Sequence, residues 1–293
     1  MKNLKINSIS DLKKEGKSFY WASFFLPKKS KEQAGNLYSI CRYFDNIADN
    51  DKHDRSDFLK ESISEIKNNN KNIVNVFLKE NNISIKIFAD LIEGLIKDQK
   101  QFEIKNQQEL IKYSYYVAGT VGLMMSKVIG VKKKQSSSSA IDLGIAMQMT
   151  NIARDVHEDA NMKRIYIPTD WIPDINLKIL SSKKNLNLEE NIRISKAIFK
   201  LIDLSEKFYT NGFAGLKYIP LKTRLGILIA ANIYRGIGIK IKKSKNKYLT
   251  SRIYLNSFEK TLITLKSISI FIFFPFLNYK YKKIRDILPN ENI

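Results

Sequence analysis

Apolar residues recur at three- and four-residue steps through most of this chain of 293 residues. Ala34, Leu37, Cys41 and Phe44, for example, fall on one face of a helix. This spacing is the period of an amphipathic α-helix rather than of a strand. We interpret Asn211-Gly212 as a break between two helices. The pattern predicts helices over residues 31–50, 54–67, 83–101, 113–129, 140–159, 187–210, 221–243 and 251–274.

Turn-forming residues are scarce. The chain has 12 Gly and 6 Pro, and no Pro lies between Lys28 and Ile167. Strand-and-turn folds need frequent turn residues, whereas long helices exclude Pro, so we predict an all-α fold. No low-complexity linker divides the chain, and we expect a single domain over residues 1–293 with a basic, partly apolar tail from about residue 267.

The formal net charge is +21, from 50 Lys and Arg against 29 Asp and Glu. Such an excess favours anionic partners, namely nucleic acid, acidic lipid or phosphorylated substrates, unless lysine and asparagine are simply over-used throughout the chain. The lysines are spread along the chain rather than clustered beside aromatic residues, so a nucleic-acid partner is not expected.

The chain contains a single cysteine, Cys41, which excludes an internal disulfide and is typical of the reducing cytoplasm. The first residues lack an apolar run, so no signal peptide is expected. The most apolar run, residues 268–277, is about half as long as a membrane span. From Lys240 onward the chain has 12 basic and 3 acidic residues. This tail either contacts the inner face of the membrane peripherally or forms an ordinary terminal helix that closes the core.

Two pairs of aspartates lie one helical turn apart, Asp45 with Asp49 and Asp155 with Asp159. Like charges at this spacing destabilise an isolated helix, so the pairs indicate an external cation. Each pair ends a polar stripe on an otherwise apolar helix. The stripes comprise Tyr38, Arg42, Asp45 and Asp49 upstream, and Gln148, Asn151, Asp155 and Asp159 downstream.

Two helices that present such pairs can face each other across a cavity and hold Mg²⁺, which prefers oxygen ligands and shares them with substrate phosphates. Arg42, Arg154 and Arg164 would complete a clamp for a diphosphate, because guanidinium groups match phosphate oxygens in a fork. Metal charge would then stabilise a departing pyrophosphate. The alternative is two solvated acidic helix ends with coincidental spacing.

Five stretches resemble the squalene/phytoene synthase family of head-to-head prenyl synthases, and the likeness to bacterial phytoene synthases is strongest. The resemblance covers most of residues 17–255. It is carried by residues 18–22 (SFYWA), 41–49 (CRYFDNIAD), 113–122 (YSYYVAGTVG), 148–159 (QMTNIARDVHED) and 164–168 (RIYIP).

The resemblance implies an isoprenoid-synthase-type helical bundle around a central cavity. It implies that two geranylgeranyl diphosphates join C1 to C1 through prephytoene diphosphate to give phytoene, in carotenoid biosynthesis. The implied cofactor is Mg²⁺ or Mn²⁺, without NADPH, and a phytoene desaturase would act downstream.

The resemblance also implies roles for individual residues. Tyr113 matches a tyrosine near the ionising carbon and, with the four aspartates, forms the expected catalytic set. The expected metal ligands are Asp45, Asp49, Asn151, Asp155 and Asp159. The expected substrate and diphosphate contacts are Ser18, Phe19, Tyr38, Arg42, Gln148, Asn151, Arg154, Arg164 and Tyr166.

Two positions depart from the family pattern. Asn46 stands where an acid usually follows the first aspartate, which predicts weaker metal binding, and Lys163 stands where Gly usually precedes Arg164. Two alternatives stay open. The first is a presqualene diphosphate or dehydrosqualene synthase that uses farnesyl diphosphate. The second is a non-catalytic assembly protein that keeps the fold.

Overall fold

The computed structural model describes residues 8–49, 54–68, 72–99, 102–181, 186–244 and 251–291. Most of these residues are helical and only two short strands occur among them, so the all-α prediction is confirmed. The helices are α1 Ser8–Lys14, α2 Lys17–Ser23, α3 Lys28–Ala48, α4 Ser56–Lys67, α5 Ile73–Glu80, α6 Ile85–Lys97, α7 Gln107–Ser114, α8 Thr120–Val128, α9 Ser137–Asn161, α10 Leu177–Ser181, α11 Leu188–Gly215, α12 Leu221–Lys243 and α13 Ser257–Phe273.

Helix α9 is the centre of the bundle, and α8, α11 and α12 pack around it. Its apolar face is fully covered, and Ile141, Ile145 and Met149 have no exposed surface. Gly144 permits a close approach, because a Cβ atom there would lie 2.2 Å from the carbonyl oxygen of Ala118. A π-helical turn, Tyr115–Gly119, joins α7 to α8 at this crossing.

Two short strands, β1 Phe102–Glu103 and β2 Arg164–Ile165, pair in parallel, with Phe102 opposite Arg164. This pairing ties the segment after α9 to the segment after α6. It thereby places Arg164 beside Asp98, the C-terminal cap of α6.

The predicted helix break at Asn211-Gly212 is wrong, because α11 continues through both residues to Gly215. Tertiary contacts explain the continuity. The Asn211 amide donates to Asp142 Oδ2 at 2.8 Å and to the carbonyl of Lys282 at 2.7 Å. A Cβ atom at Gly212 would lie 2.9 Å from Leu143 Cβ, so the glycine serves close helix packing rather than a turn.

Other predicted bounds shift by a few residues, and four helices, α1, α2, α5 and α10, were not predicted. Helix α7 overlaps the predicted range 113–129 only at its last two residues. The predicted helix over 113–129 is divided by the π-helical turn. The predicted helix over 251–274 begins only at Ser257, where Asn256 and Glu259 form a capping box.

The end of the described chain packs onto the bundle. Arg285 is buried and pairs with Asp142 at 2.6 Å and with Glu291 at 2.8 Å. Farther along, Asn290 donates a hydrogen bond to Asp90 and another of 3.1 Å to the Tyr115 hydroxyl. Residues 285–291 therefore close the core.

Candidate active site

A cavity of about 740 Å³ runs through the bundle between α2, α3, α8, α9 and α12. Acidic and basic side chains line one end, and small or apolar side chains line the other. Every predicted site residue except Ser18 lines this cavity. Ser18 lies on α2 next to Phe19, half-buried, but does not reach the cavity wall.

Helix α3 brings Asp45 and Asp49 to the polar end. Arg42 pairs with Asp45 and also with Glu15, at 2.5 Å, so three charges are linked along one rim. Burial and the neighbouring Asp49 raise the pKa of Asp45 to about 6, against the opposing effect of Arg42. When a neighbouring carboxylate raises the pKa of a buried carboxyl group, a cation bound between the two would be stabilising.

Helix α9 brings Asp155 and Asp159 to the same end. The backbone of Asp155 leaves helical geometry, with φ −108° and ψ 16°, so the helix bends at this residue. Arg154 forms a bidentate pair with Asp155 at 2.8 and 2.6 Å, and Arg252 approaches the same carboxylate at 2.6 Å. Burial, and then the charge of Asp155, raise the pKa of Asp159 well above its usual range.

Arg164 connects the two acidic pairs. Its Nη1 donates to Asp49 Oδ1 at 2.6 Å, and its positive charge also opposes the rise in the pKa of Asp159. Its other donors reach the backbone carbonyls of Asp98, at 2.9 Å, and Ala48, at 3.2 Å. The guanidinium is 5% exposed and is held by the protein itself. Its predicted contact with diphosphate stays a prediction.

Two tyrosines share one carboxylate beside this polar end. Tyr113 donates to Asp98 Oδ2 at 3.0 Å, and Tyr166 donates to Asp98 Oδ1 at 2.9 Å. The two rings stack with centroids 4.7 Å apart. Asp98 is 7% exposed, and burial raises its pKa to about 7 despite the nearby Arg164. A carboxyl at this place orients both hydroxyl groups.

A second aromatic group lies across the cavity. The ring of Phe19 lies 4.9 Å from that of Tyr234 and 6.3 Å from that of Tyr38. Ring faces attract cations, and none of these three side chains is a strong nucleophile. The wall is therefore suited to a transient carbocation.

The far end of the cavity is apolar and lined by small residues. Helix α9 lines it from Asp155 back to Ser139, a distance of about 24 Å at the helical rise per residue. Leu26 and Ile219 lie at this end. Small side chains line much of the cavity wall, namely Ala22, Ser23, Ala34, Ala118, Gly122, Ala140, Gly144, Gly215 and Gly226, and Gly215 lies against Ser139 at this end.

The donor set fits a metal that is shared with a ligand. Within the described ranges, no three acidic, histidine or cysteine side chains converge into a ready-made metal site. The acids come as pairs, and Mg²⁺ is commonly held by one or two carboxylates together with substrate phosphates. The Oδ1 atom of Asn151, one helical turn before Asp155 on α9, is buried and has no hydrogen-bond partner. An orphaned amide oxygen there is a suitable additional ligand.

The sequence analysis did not predict three residues that line the cavity, Asp98, Tyr234 and Arg252. Tyr234 belongs to residues 234–238 (YRGIG), which resemble the family more loosely than the five stretches given above, and that signal could have identified it. Arg252 is 97 positions from its partner Asp155, and no local pattern marks it. Asn46, by contrast, is exposed and does not line the cavity.

Comparison with known proteins agrees with this geometry. A 15-cis-phytoene synthase of Paracoccus sp. (strain N81106 / MBIC 01143) is 29% identical over 270 residues, which cover 86% of this chain and 87% of that protein. A phytoene synthase of Pseudescherichia vulneris is 35% identical over 179 residues, covering 61% of this chain and 57% of that protein. The crystal structure of a dehydrosqualene synthase in complex with ligand superposes with a TM-score of 0.77, at 26% identity, over 89% of this chain and 94% of that one.

The family comparison covers the whole cavity. The sequence model described as Squalene/phytoene synthase matches residues 12–259, which include the four aspartates, Asp98 and Arg252. The chain therefore belongs to the squalene/phytoene synthase family of prenyltransferases.

Proposed function

We propose that this chain joins two geranylgeranyl diphosphates, C1 to C1, to give phytoene for carotenoid synthesis. In the first half-reaction, the C1–O bond of one substrate breaks and pyrophosphate leaves. The C2–C3 double bond of the second substrate attacks C1, and loss of a proton closes the cyclopropane of prephytoene diphosphate. In the second half-reaction, the other pyrophosphate leaves, and the rearranged cation loses a proton to give phytoene.

The observation that carries the proposal is the placement of two acidic pairs at one end of an apolar cavity. Asp45 and Asp49 on α3 line the same space as Asp155 and Asp159 on α9. Arg164 is bonded to one pair and influences the pKa of the other. A diphosphate at this end leaves its prenyl chain in the apolar part.

The metal would be held by Asp45, Asp49, Asn151, Asp155 and Asp159, and Mn²⁺ could replace Mg²⁺. When bound, Mg²⁺ neutralises diphosphate and stabilises the leaving pyrophosphate. Arg42, Arg154 and Arg252 now pair with these aspartates. If the aspartates held the metal, these guanidinium groups would be free to bind phosphate oxygens.

The tyrosines serve the cationic steps. Tyr113 and Tyr166 each donate a hydrogen bond to Asp98, which fixes the orientation of their hydroxyl groups. Their stacked rings and the group of Phe19, Tyr38 and Tyr234 supply polarisable surface while water is excluded. Both cations end by proton loss, for which pyrophosphate is a suitable acceptor, so no NADPH is required.

The length of the cavity favours the C20 substrate. The lining continues along α9 about 24 Å beyond Asp155, and small residues surround its far end. Geranylgeranyl diphosphate is one isoprene unit longer than farnesyl diphosphate, and its longer chain would need space of this kind.

Purified protein supplied with Mg²⁺ and either geranylgeranyl or farnesyl diphosphate tests the proposal. Mass spectrometry should identify a C40 phytoene from the first substrate. A Mn²⁺ arm and an EDTA arm test the metal. The proposal is wrong if geranylgeranyl diphosphate gives neither hydrocarbon nor pyrophosphate.

A dehydrosqualene synthase that uses two farnesyl diphosphates is the second candidate. It is favoured by the structural likeness to the dehydrosqualene synthase, which covers 89% of this chain. In the same assay, a C30 product with a higher kcat/KM for farnesyl diphosphate would establish this alternative.

A further inference from the structure

Helix α13 buries polar side chains, beside the half-buried Ile263, Ile270 and Phe271, while several of its large apolar side chains are exposed. A surface helix normally turns its apolar face inward, but the fully buried positions of α13 include Thr264, 6% exposed, and Ser267, 0% exposed. Both are bound to the bundle, Thr264 Oγ1 by the indole N–H of Trp21 at 3.0 Å and Ser267 Oγ by Asn232 at 2.9 Å. Polar contacts thus fix the helix orientation.

The outward side of α13 is apolar. Its large hydrophobic side chains follow the helical period and continue into the 3₁₀ turn Phe274–Phe276. They are 51–83% exposed, with Phe276 highest. A row of large exposed apolar side chains that no element of the described residues covers marks an interaction site rather than scattered surface apolarity. We call it the α13 stripe, and it consists of Phe258, Leu262, Leu265, Ile272, Phe273 and Phe276.

The charges around the α13 stripe are almost all positive. Between residues 254 and 283 there are five lysines and one acid. The acid, Glu259, is already paired with Lys240 at 2.7 Å and caps the helix. The exposed lysines are Lys266, Lys280, Lys282 and Lys283, with Lys260 half-buried beside Trp21.

We propose that the α13 stripe docks the enzyme onto the surface of an anionic lipid bilayer. Apolar side chains flanked by lysines match the layers of such a surface, where acyl chains lie below acidic headgroups. A second copy of this chain is a poorer occupant, because face-to-face stripes would bring lysines against lysines. Among the described residues, no helix is long and apolar enough to cross a membrane, so the contact would be in the interfacial plane.

The position of the α13 stripe fits the release of an apolar product into a membrane. Helix α12 lies between the stripe and the cavity. Its residues Gly226, Ile227 and Ala230 line the cavity, whereas Asn232 bonds α13 and a Cβ atom at Gly236 would meet Ile263. The docked face is therefore one helix away from the apolar end of the cavity. The link between docking and an apolar product rests on the proposed function, whereas the docking itself does not.

Flotation of the full chain with vesicles tests the docking without requiring turnover. The vesicles are phosphatidylcholine alone, or phosphatidylcholine with phosphatidylglycerol at about three to one. The test variant is Leu265→Glu combined with Phe276→Glu, both at exposed positions. The matched control is Leu188→Glu, at a leucine that is 76% exposed at the start of α11. Deletion of the tail is unsuitable, because it would leave buried Asp142 without Arg285.

The wild type and the Leu188 variant should float with the anionic vesicles and much less with the neutral ones. The double variant should lose about tenfold or more in partition, since each apolar side chain that stays in water removes a binding contribution. Circular dichroism melting should show the same fold in all three. The proposal is overturned if the double variant partitions like wild type, or if wild type does not float with anionic vesicles. It is also overturned if the double variant only converts a dimer to a monomer in sedimentation.

Discussion

The Asp98 carboxylate accepts a 3.0 Å hydrogen bond from the hydroxyl of Tyr113, a residue that sequence resemblance had already assigned to the ionising carbon. The same carboxylate accepts a second bond, from Tyr166. Asp98 therefore determines where two phenol groups point in the cavity. We propose that it acts on the reaction through them, as a positioning residue.

Asp98→Asn should lower kcat while leaving the fold intact. An amide has one accepting oxygen and one donating nitrogen, so it cannot accept from both tyrosines. We expect kcat to fall about tenfold to a hundredfold, the range for a misplaced reacting group, with little change in KM. Steady-state kinetics with Asp57→Asn as control, at a fully exposed acid on α4, checks this. An unchanged kcat would contradict the positioning role.

Asp98 should also make stability depend on pH. Burial raises its pKa in the folded protein from 3.8 to about 7. The folded state therefore holds the proton more tightly than the unfolded state does. Its contribution to stability is present below about pH 4 and is lost as pH rises through about 7. Urea unfolding at pH 5 and pH 8 should show a larger fall in the free energy of unfolding for wild type than for Asp98→Asn. Asp45 and Asp159 titrate in both proteins, so equal falls would reject the assignment.

The acidic pairs could be predicted from sequence because a helix repeats every 3.6 residues, so Asp45 and Asp49 must share a face. Asp98 could not. It is a single acid between Lys97 and Gln99 at the end of α6. Its importance arises from Tyr113 and from Tyr166, which β2 places beside it.

Tertiary contacts also decide what local propensity leaves ambiguous. Asn-Gly at 211–212 is a turn signal by itself, yet the bonds to Asp142 and Lys282 hold it in α11. The burial of polar residues on α13 was equally hidden. Its sequence shows an apolar helix, and only the bundle reveals that Thr264 and Ser267 face inward.

Arg252→Ala should reduce activity without much loss of stability. Arg252 pairs with Asp155 at 2.6 Å from a side chain that is 36% exposed. Asp155, which is 14% exposed, keeps its bidentate pair with Arg154, so little stability should be lost. A lost phosphate contact, by contrast, should lower kcat/KM about tenfold or more. Arg193→Ala, which breaks an exposed pair with Glu189, is the matched control. Equal kcat/KM for the two variants would show that Arg252 does not contact substrate.

Asn46→Asp should leave the metal requirement nearly unchanged. The family pattern suggests that an acid here strengthens metal binding, but Asn46 is exposed and outside the cavity lining. Because water screens a charge at such a place, half-saturating Mg²⁺ should change less than about twofold. Asp45→Asn, inside the cavity, should raise it about tenfold or abolish activity. A strong gain in Mg²⁺ affinity for Asn46→Asp would show that this side chain turns toward the metal.

Gly144→Ala should destabilise the bundle at the wall of the cavity. A Cβ atom at this position would lie 2.2 Å from the Ala118 carbonyl oxygen and 2.8 Å from its carbon, both of them backbone atoms. The π-helical turn that contains Ala118 would have to move away from α9. Overpacking of this kind costs about 1–3 kcal/mol, which urea unfolding would detect as a lower midpoint.

Gly238→Ala is the matched control for this change, because it makes the same substitution inside α12. Its added Cβ would come no closer than 3.4 Å, to Ile202 Cγ2, which is ordinary contact. Alanine is a better helix former than glycine by about 1 kcal/mol, so this variant should be as stable as wild type or more stable. Destabilisation by both substitutions to the same extent would mean that glycine flexibility, rather than the close approach of α9 to the turn, is what the bundle requires.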